Sequence, residues 1–212
     1  MNKSFVIKVL NNDSTSEVNA LRLEQYQTAK GFEVKAPGIL WNKSDDESII
    51  LGVYDGELLV STMRIEIIQD QALLEEKLEC PWNFGREIEF PIMLLSKAST
   101  DKNYHSLGLN ALLRDESLRL AQEWEVSCLI GTMIEGSPRV NSMKIMGYEF
   151  FRNELGWNTT NYKSLDPVLV SYLGRDKFSL AREVCQKIVS RGAISSRWEG
   201  HYPVFKTVSC VL

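Results

Sequence analysis

The stretch Tyr104-His-Ser-Leu-Gly-Leu-Asn-Ala-Leu-Leu-Arg114 joins a small glycine-containing turn to the start of a long helical pattern. The first N–H groups of a helix have no partner inside the helix, and the helix dipole adds partial positive charge there. A phosphate-bearing ligand therefore finds main-chain donors at His105, Ser106, Leu107, Gly108, Leu109 and Asn110 without needing a lysine. The turn lacks the Lys-Ser/Thr ending of a P-loop and the three glycines of a dinucleotide fingerprint. Upstream, Glu87 and Glu89 stand two apart in an expected strand, so their carboxylates share one face.

The elements expected to hold these groups alternate between strands and helices. Phe5 to Leu10 reads as a strand, and Ser14 to Ser16 offer caps for a helix running to about Lys30, with Gly31 as its stop. Phe32 to Glu47, with Pro37-Gly38 and many polar residues, reads as a loop. Ser48 to Tyr54 and Glu57 to Ile68 are strands joined at Asp55-Gly56, a hairpin signal, and the second is long enough for a bulge. A short acidic helix spans Gln69 to Leu78, a loop Cys80 to Gly85, and a central strand Arg86 to Leu95, in which Pro91 implies a distortion. After the turn, Leu109, Leu112, Leu113, Leu120, Ala121 and Trp124 recur at helical spacing.

Val126 to Met133 is then a buried strand, Ser137-Pro138 opens a helix that Gly147 ends, and Tyr148 to Phe151 is a strand. Tyr162 to Tyr172 holds one more, interrupted by Pro167. Asp176 to Arg191 is a helix, and Pro203 to Leu212 a terminal strand candidate. Strand–helix–strand units demand parallel neighbours and the hairpin an antiparallel pair, so the fold class is α/β with a mixed sheet and helices on both faces.

The 212 residues allow one large domain, and the 44% hydrophobic content allows it a sizeable core. A net charge of −4 without a dense Lys/Arg run argues against a nucleic-acid partner. Cys80, Cys128, Cys185 and Cys210 form no CxxC pair, and no hydrophobic leader is visible, so reduced thiols in a cytoplasmic protein are expected. With two histidines, His105 and His201, no His-rich zinc site is available, and no metal is expected. No apolar stretch has the length of a membrane span.

The chain resembles the GNAT N-acyltransferase superfamily. His105-Ser-Leu-Gly108-Leu-Asn110 is similar to that family's acyl-CoA motif, Gln/Arg-x-x-Gly-x-Gly/Ala, with His first and Asn last. Lys144-Ile-Met-Gly147-Tyr148 resembles its closing aromatic after glycine, and Leu51 to Arg64 its central hairpin. The resemblance spans roughly Val18 to Phe151. The return strand Val60-Ser-Thr-Met-Arg64, and Arg22, Tyr26 and Gly31-Phe32, are similar to the branch of N-acyl amino acid synthases and acyl-homoserine-lactone synthases.

The resemblance implies a mostly antiparallel sheet with one splayed parallel pair, Arg86–Leu95 and Val126–Met133. It implies a GNAT-like acyltransferase domain at 1–174 and a helix–strand extension at 175–212 packed on it. The implied activity is transfer of an acyl group to a primary amine, an amino acid among the candidates. The implied donor is acetyl-CoA, acyl-CoA or an acyl-phosphopantetheine on acyl carrier protein, and the assembly a monomer or homodimer.

In that scheme the pantetheine lies between the splayed strands, and the phosphates sit on the amides of the turn. Gly108 avoids a side chain against the phosphate. The N–H groups of Ile92, Met93 and Leu94 stabilise the thioester oxygen, and Glu87 or Glu89 takes the amine's proton. Arg64 is a candidate for holding an acyl carbonyl or a substrate carboxylate, and Trp41, with Trp82 and Trp157, for lining the substrate pocket. Met143 stands where the family places a tyrosine acid; Tyr104 and Tyr148 are the possible substitutes. These departures leave open an inactive GNAT-fold binding module.

Overall fold

The computed structural model describes residues 3–28, 32–34, 38–154 and 162–200. Its strands are β1 (Lys3–Leu10), β2 (Phe32–Val34), β3 (Ile49–Asp55), β4 (Leu58–Ile68), β5 (Ile92–Thr100), β6 (Cys128–Ile134), β7 (Glu149–Asn153), β8 (Tyr162–Ser164), β9 (Val168–Gly174) and β10 (Ile194–Trp198). Its helices are α1 (Thr15–Gln27), α2 (Lys43–Asp46), α3 (Gln71–Leu78), α4 (Leu109–Glu123), α5 (Arg139–Ile145) and α6 (Phe178–Arg191).

One eight-stranded sheet runs in the order β10-β1-β3-β4-β5-β6-β9-β7, and β2 and β8 pair apart from it. In the large sheet β1–β10 and β5–β6 are parallel, and the remaining neighbours are antiparallel. Alternation along the strands divides the core between the two faces. Phe5, Ile7, Leu51, Val53, Met63, Ile65, Met93, Leu95 and Leu129 point to the face covered by α4 and α6. Ile50, Ile68, Ile92, Leu94 and Ile130 point to the other, which carries α1 and α3.

Local chemistry explains most boundaries. Gly56, at φ +62, makes the two-residue turn between β3 and β4. Asp70 caps α3 by accepting from the Leu73 N–H. Gly147, at φ +93, ends α5 by donating to Lys144 O. On α4, Leu109, Leu112, Leu113, Leu120 and Ala121 are buried at the expected spacing.

Several expectations shift. The central strand is not Arg86–Leu95 but Ile92–Thr100. Residues 81–91 are non-regular, and Trp82, Phe84, Ile88 and Phe90 pack beneath α3 as a loop. The stretch expected as a loop from Phe32 contains β2 and α2, the latter closed by a reciprocal cap between Asn42 and Asp45. Tyr162 to Tyr172 is two strands in different sheets, broken around Pro167. The expected strand at Pro203–Leu212 and the helix stop at Gly31 lie outside the described residues. β10, not expected from the sequence, is added in parallel beside β1.

Candidate active site

β5 and β6 pair at Met93–Leu129, Leu94–Ile130 and Leu95–Gly131 and then part. Beyond that point β5 continues against β4 up to Thr100, and β6 against β9 up to Ile134. Each strand keeps its outer neighbour and loses its inner one, which opens a wedge at their C-terminal ends. In a buried sheet interior, main-chain groups without a strand partner need another acceptor or donor. An extended ligand that pairs like a strand meets that need.

Within the wedge β5 carries a bulge. Thr62 pairs with Ser99 and Arg64 with Ser96, so Met63 alone faces Lys97 and Ala98. Lys97 has φ +47, a left-handed conformation rare for a residue with a side chain. On the α4 side, β5 leads through a single 3-10 turn, Lys102–Tyr104, to residues 105–108 and the start of α4. The His105 and Leu107 N–H groups are used inside the turn, on Lys102 O and Tyr104 O. The first intrahelical bond runs from the Leu112 N–H to Gly108 O, so the Leu109, Asn110 and Ala111 N–H groups have no main-chain acceptor among the described residues. The Asn110 side-chain nitrogen is also buried without a partner.

On the α1 side lies a buried ionic cluster. Asp45 is 1% exposed. Its Oδ1 accepts from Arg22 at 2.8 Å and its Oδ2 from Lys97 Nζ at 2.7 Å, with Arg64 at 3.8 Å. Arg64 also reaches Glu66 at 2.9 Å and donates to Ser96 Oγ at 2.8 Å, and Lys77 reaches Glu66 at 3.1 Å. Burial pushes the Asp45 carboxyl up, but the hydrogen bonds and charges of Arg22 and Lys97 together hold it below its ordinary value. Burial drops Lys97 to about 8 against the opposing pull of Asp45, and Arg64 and Arg22 lower it further. The Tyr26 phenol on α1 is raised by burial and lies within electrostatic reach of Arg22, Arg64 and Arg139. Arg139, at the start of α5, also senses Arg114 on α4, whose Nη1 donates to Tyr148 Oη at 2.8 Å.

The site residues expected from sequence are placed as follows. Glu87 and Glu89 are exposed in the loop before β5, at the closed end of the β5–β6 pair. The Glu89 carbonyl accepts from Ser127 Oγ there. They do not lie on a strand and do not face the wedge, which opens beyond Leu95. Ile92, Met93 and Leu94 are likewise in the closed part, buried and paired with β4; Met93 and Leu94 also pair with β6. The six-residue shift of the strand moves the wedge to Ser96–Thr100.

His105, Ser106, Leu107, Gly108, Leu109 and Asn110 form one turn at the start of α4. His105 is exposed, with Nε2 3.0 Å from Thr100 O. Gly108 has φ +89, and a Cβ there would meet the Ile188 side chain and carbonyl of α6 at 3.3 Å. Arg64 belongs to the ionic cluster. Trp41 donates from Nε1 to Asp46 at 2.6 Å, half-buried at the edge of the α1 core, and Trp157 lies outside the described residues. Met143 is core, Tyr104 is bonded to Asp55, and Tyr148 is buried. Among the described residues no three His, Cys, Asp or Glu side chains gather as a metal site.

The sequence matches no family model, and it matches no curated protein. Solved structures do match. The CoA-dependent acyl-homoserine lactone synthase BjaI, solved with MTA, superimposes with a TM-score of 0.63 at 12% identity, over 94% of this chain and 95% of that one. FeeM, an N-acyl amino acid synthase from uncultured soil microbes, gives 0.59 at 14% identity, over 86% and 97%. An N-acetyltransferase from Staphylococcus aureus Mu50 gives 0.55 at 14% identity, over 81% and 98%. The chain has the GNAT fold. The splayed parallel pair expected from sequence is present as β5 and β6, with β5 at Ile92–Thr100 in place of Arg86–Leu95.

Sequence reasoning missed Asp45, Glu66 and Lys97 and took Arg22 only as part of a resemblance. A signal for Lys97 existed: a lysine two residues past the apolar run Ile92 to Leu95, in a strand that continues to Thr100, needs a buried anion or a break in the strand, and it has both.

Proposed function

We propose that this protein transfers an acyl group from a pantetheine thioester to the amine of an acceptor that carries a carboxylate, an amino acid being the simplest. The observation that carries this reading is the parting of β5 and β6 after Leu95 and Gly131, one turn ahead of the free N–H groups of α4. The pantetheine arm lies in the wedge, its phosphate on the N–H groups of Leu109 to Ala111, and the thioester beside the Lys97–Ala98 bulge. The donor is acyl-CoA or the phosphopantetheine of an acyl carrier protein.

The acceptor side rests on charge. Four cations, Arg22, Arg64, Lys77 and Lys97, converge on two carboxylates, Asp45 and Glu66. A surplus of positive charge in a low-dielectric site is compensated by an anionic group of the ligand. The thiols of Cys80, Cys128 and Cys185 are free and buried, in keeping with a cytoplasmic setting. Among the described residues no helix is long and apolar enough to cross a membrane.

The test is thiol release. Acyl-CoA and acyl-carrier-protein donors of several chain lengths are offered with a panel of amino acids and of decarboxylated amines. Free thiol and amide should appear together and only with carboxylate-bearing acceptors. Equal rates for the decarboxylated amines contradict the acceptor assignment, and no transfer or binding with any donor contradicts the reading as a whole.

A further inference from the structure

Amine acylation at a thioester needs the acceptor to lose a proton first, since an alkylammonium at neutral pH has no lone pair to attack with. Glu87 and Glu89 lie at the wrong end of β5. The carboxylates beside the wedge are occupied: Asp45 by Arg22 and Lys97, Glu66 by Arg64, Lys77 and Ser96 Oγ. Asp45 is in addition held below its ordinary pKa, which weakens it as a proton acceptor. The Tyr26 phenol is raised by burial.

Lys97 differs from all of these in backbone, position and bonding. It sits two residues past Leu95, at the bulge and in the left-handed conformation. Its side chain crosses to the α1 face, where Nζ contacts Asp45 Oδ2 at 2.7 Å and Leu40 O at 3.0 Å. An ammonium has three N–H donors, so among the described residues the third position of Nζ has no protein acceptor. The charged groups around Nζ are Asp45 from α2, Arg22 from α1 and Arg64 from β4.

We propose that Lys97 is the general base of the transfer, taking a proton from the acceptor's ammonium at the third position of Nζ. This rests on the acyltransferase reading. The neutral Lys97 amine accepts one proton and becomes an ammonium. The freed amine attacks the thioester carbonyl, a C–N bond forms and the C–S bond breaks with its electron pair left on sulfur. The second proton of the acceptor nitrogen passes to that thiolate, giving a thiol and an amide, and Lys97 returns its proton to water. Desolvation lowers Lys97 to about 8, near enough to neutrality for the exchange.

Wild-type transfer is measured first; silence with every donor sinks the acyltransferase reading and not this assignment. Given an active wild type, kcat should rise with pH along a limb centred near 8. Lys97→Arg keeps the charge opposite Asp45 but accepts no proton at these pH values. Its kcat should fall by about 100-fold or more, with acceptor KM changed less than about threefold and the limb lost. Lys97→Ala should regain turnover on addition of trimethylamine, which cannot itself be acylated. Wild-type kcat in Lys97→Arg, or a wild-type kcat independent of pH between 6 and 10, overturns the assignment. The second of these needs no variant to fold.

Discussion

Leu95 and Gly131 are the last residues at which β5 and β6 pair, and a Cβ on Gly131 would lie 3.0 Å from Leu95 O and 3.3 Å from Ser171 Oγ. The absence of a side chain lets the two strands meet at the apex of the wedge. Gly131→Ala must push them apart or shift β9. It should cost about 1–3 kcal/mol of stability, read as a lower urea midpoint at unchanged m-value. An unchanged midpoint means that the apex has room that the geometry does not show.

Two glycines hold the turn before α4 for different reasons. Gly108 has φ +89, so Gly108→Ala is strained by about 1–2 kcal/mol before any contact is counted. Gly192 has an ordinary φ of −69, but its Cβ would fall 2.1 Å from Leu107 O. Gly192→Ala should therefore be the more damaging change and should weaken donor binding by displacing the turn. Calorimetry on both variants checks this; equal affinities in Gly192→Ala and the wild type would show that α6 does not set the turn.

Asp45 is the anion on which Arg22 and Lys97 close. Asp45→Asn leaves those cations buried without it and should cost roughly 3–5 kcal/mol. Glu87→Gln and Glu89→Gln, in the exposed loop, should stay within about 0.5 kcal/mol of wild type and keep its transfer rate. Denaturant titrations and thiol release on the three variants decide the matter. A loss of rate in either glutamine variant would return the base to that loop.

The cluster also sets pH dependence. Asp45 is depressed in the folded state, so its contribution is present above its unfolded value of 3.8 and is lost as pH falls through the folded value. Lys97 is depressed too, so the slope of stability with pH has the same sign in its own, higher window. The unfolded chain binds the lysine proton more tightly between about 8 and 10.5, so wild-type stability should gain on Lys97→Gln as pH rises through that window. A stability difference that stays flat from pH 7 to 11 contradicts the burial of a protonated Lys97.

Much of the framework is legible in the sequence because it rests on local chemistry. Asp55-Gly56 fixes a hairpin, and the Leu109, Leu112, Leu113, Leu120 and Ala121 stripe fixes α4. The start of β5 was misplaced because Ile88 and Phe90 alternate like a strand while packing as a loop, and the strand begins only after Pro91. β10 was invisible because Ile194 is its only buried residue, so Ile194-Ser-Ser-Arg-Trp198 has no alternating apolar pattern. The ionic cluster is tertiary: Arg22, Asp45, Arg64 and Lys97 come from four elements, and no spacing along the chain announces that they meet.

The central claim is that a pantetheine chain lies between β5 and β6 with its phosphate at α4. Backbone hydrogen exchange with and without a saturating non-hydrolysable acyl-CoA thioether tests it most directly. The account predicts slowed exchange at Ser96–Ala98 and at Leu109–Ala111, with residues 86–90 unchanged. Protection confined to residues 86–90, or none at any of these amides under saturation, would contradict it.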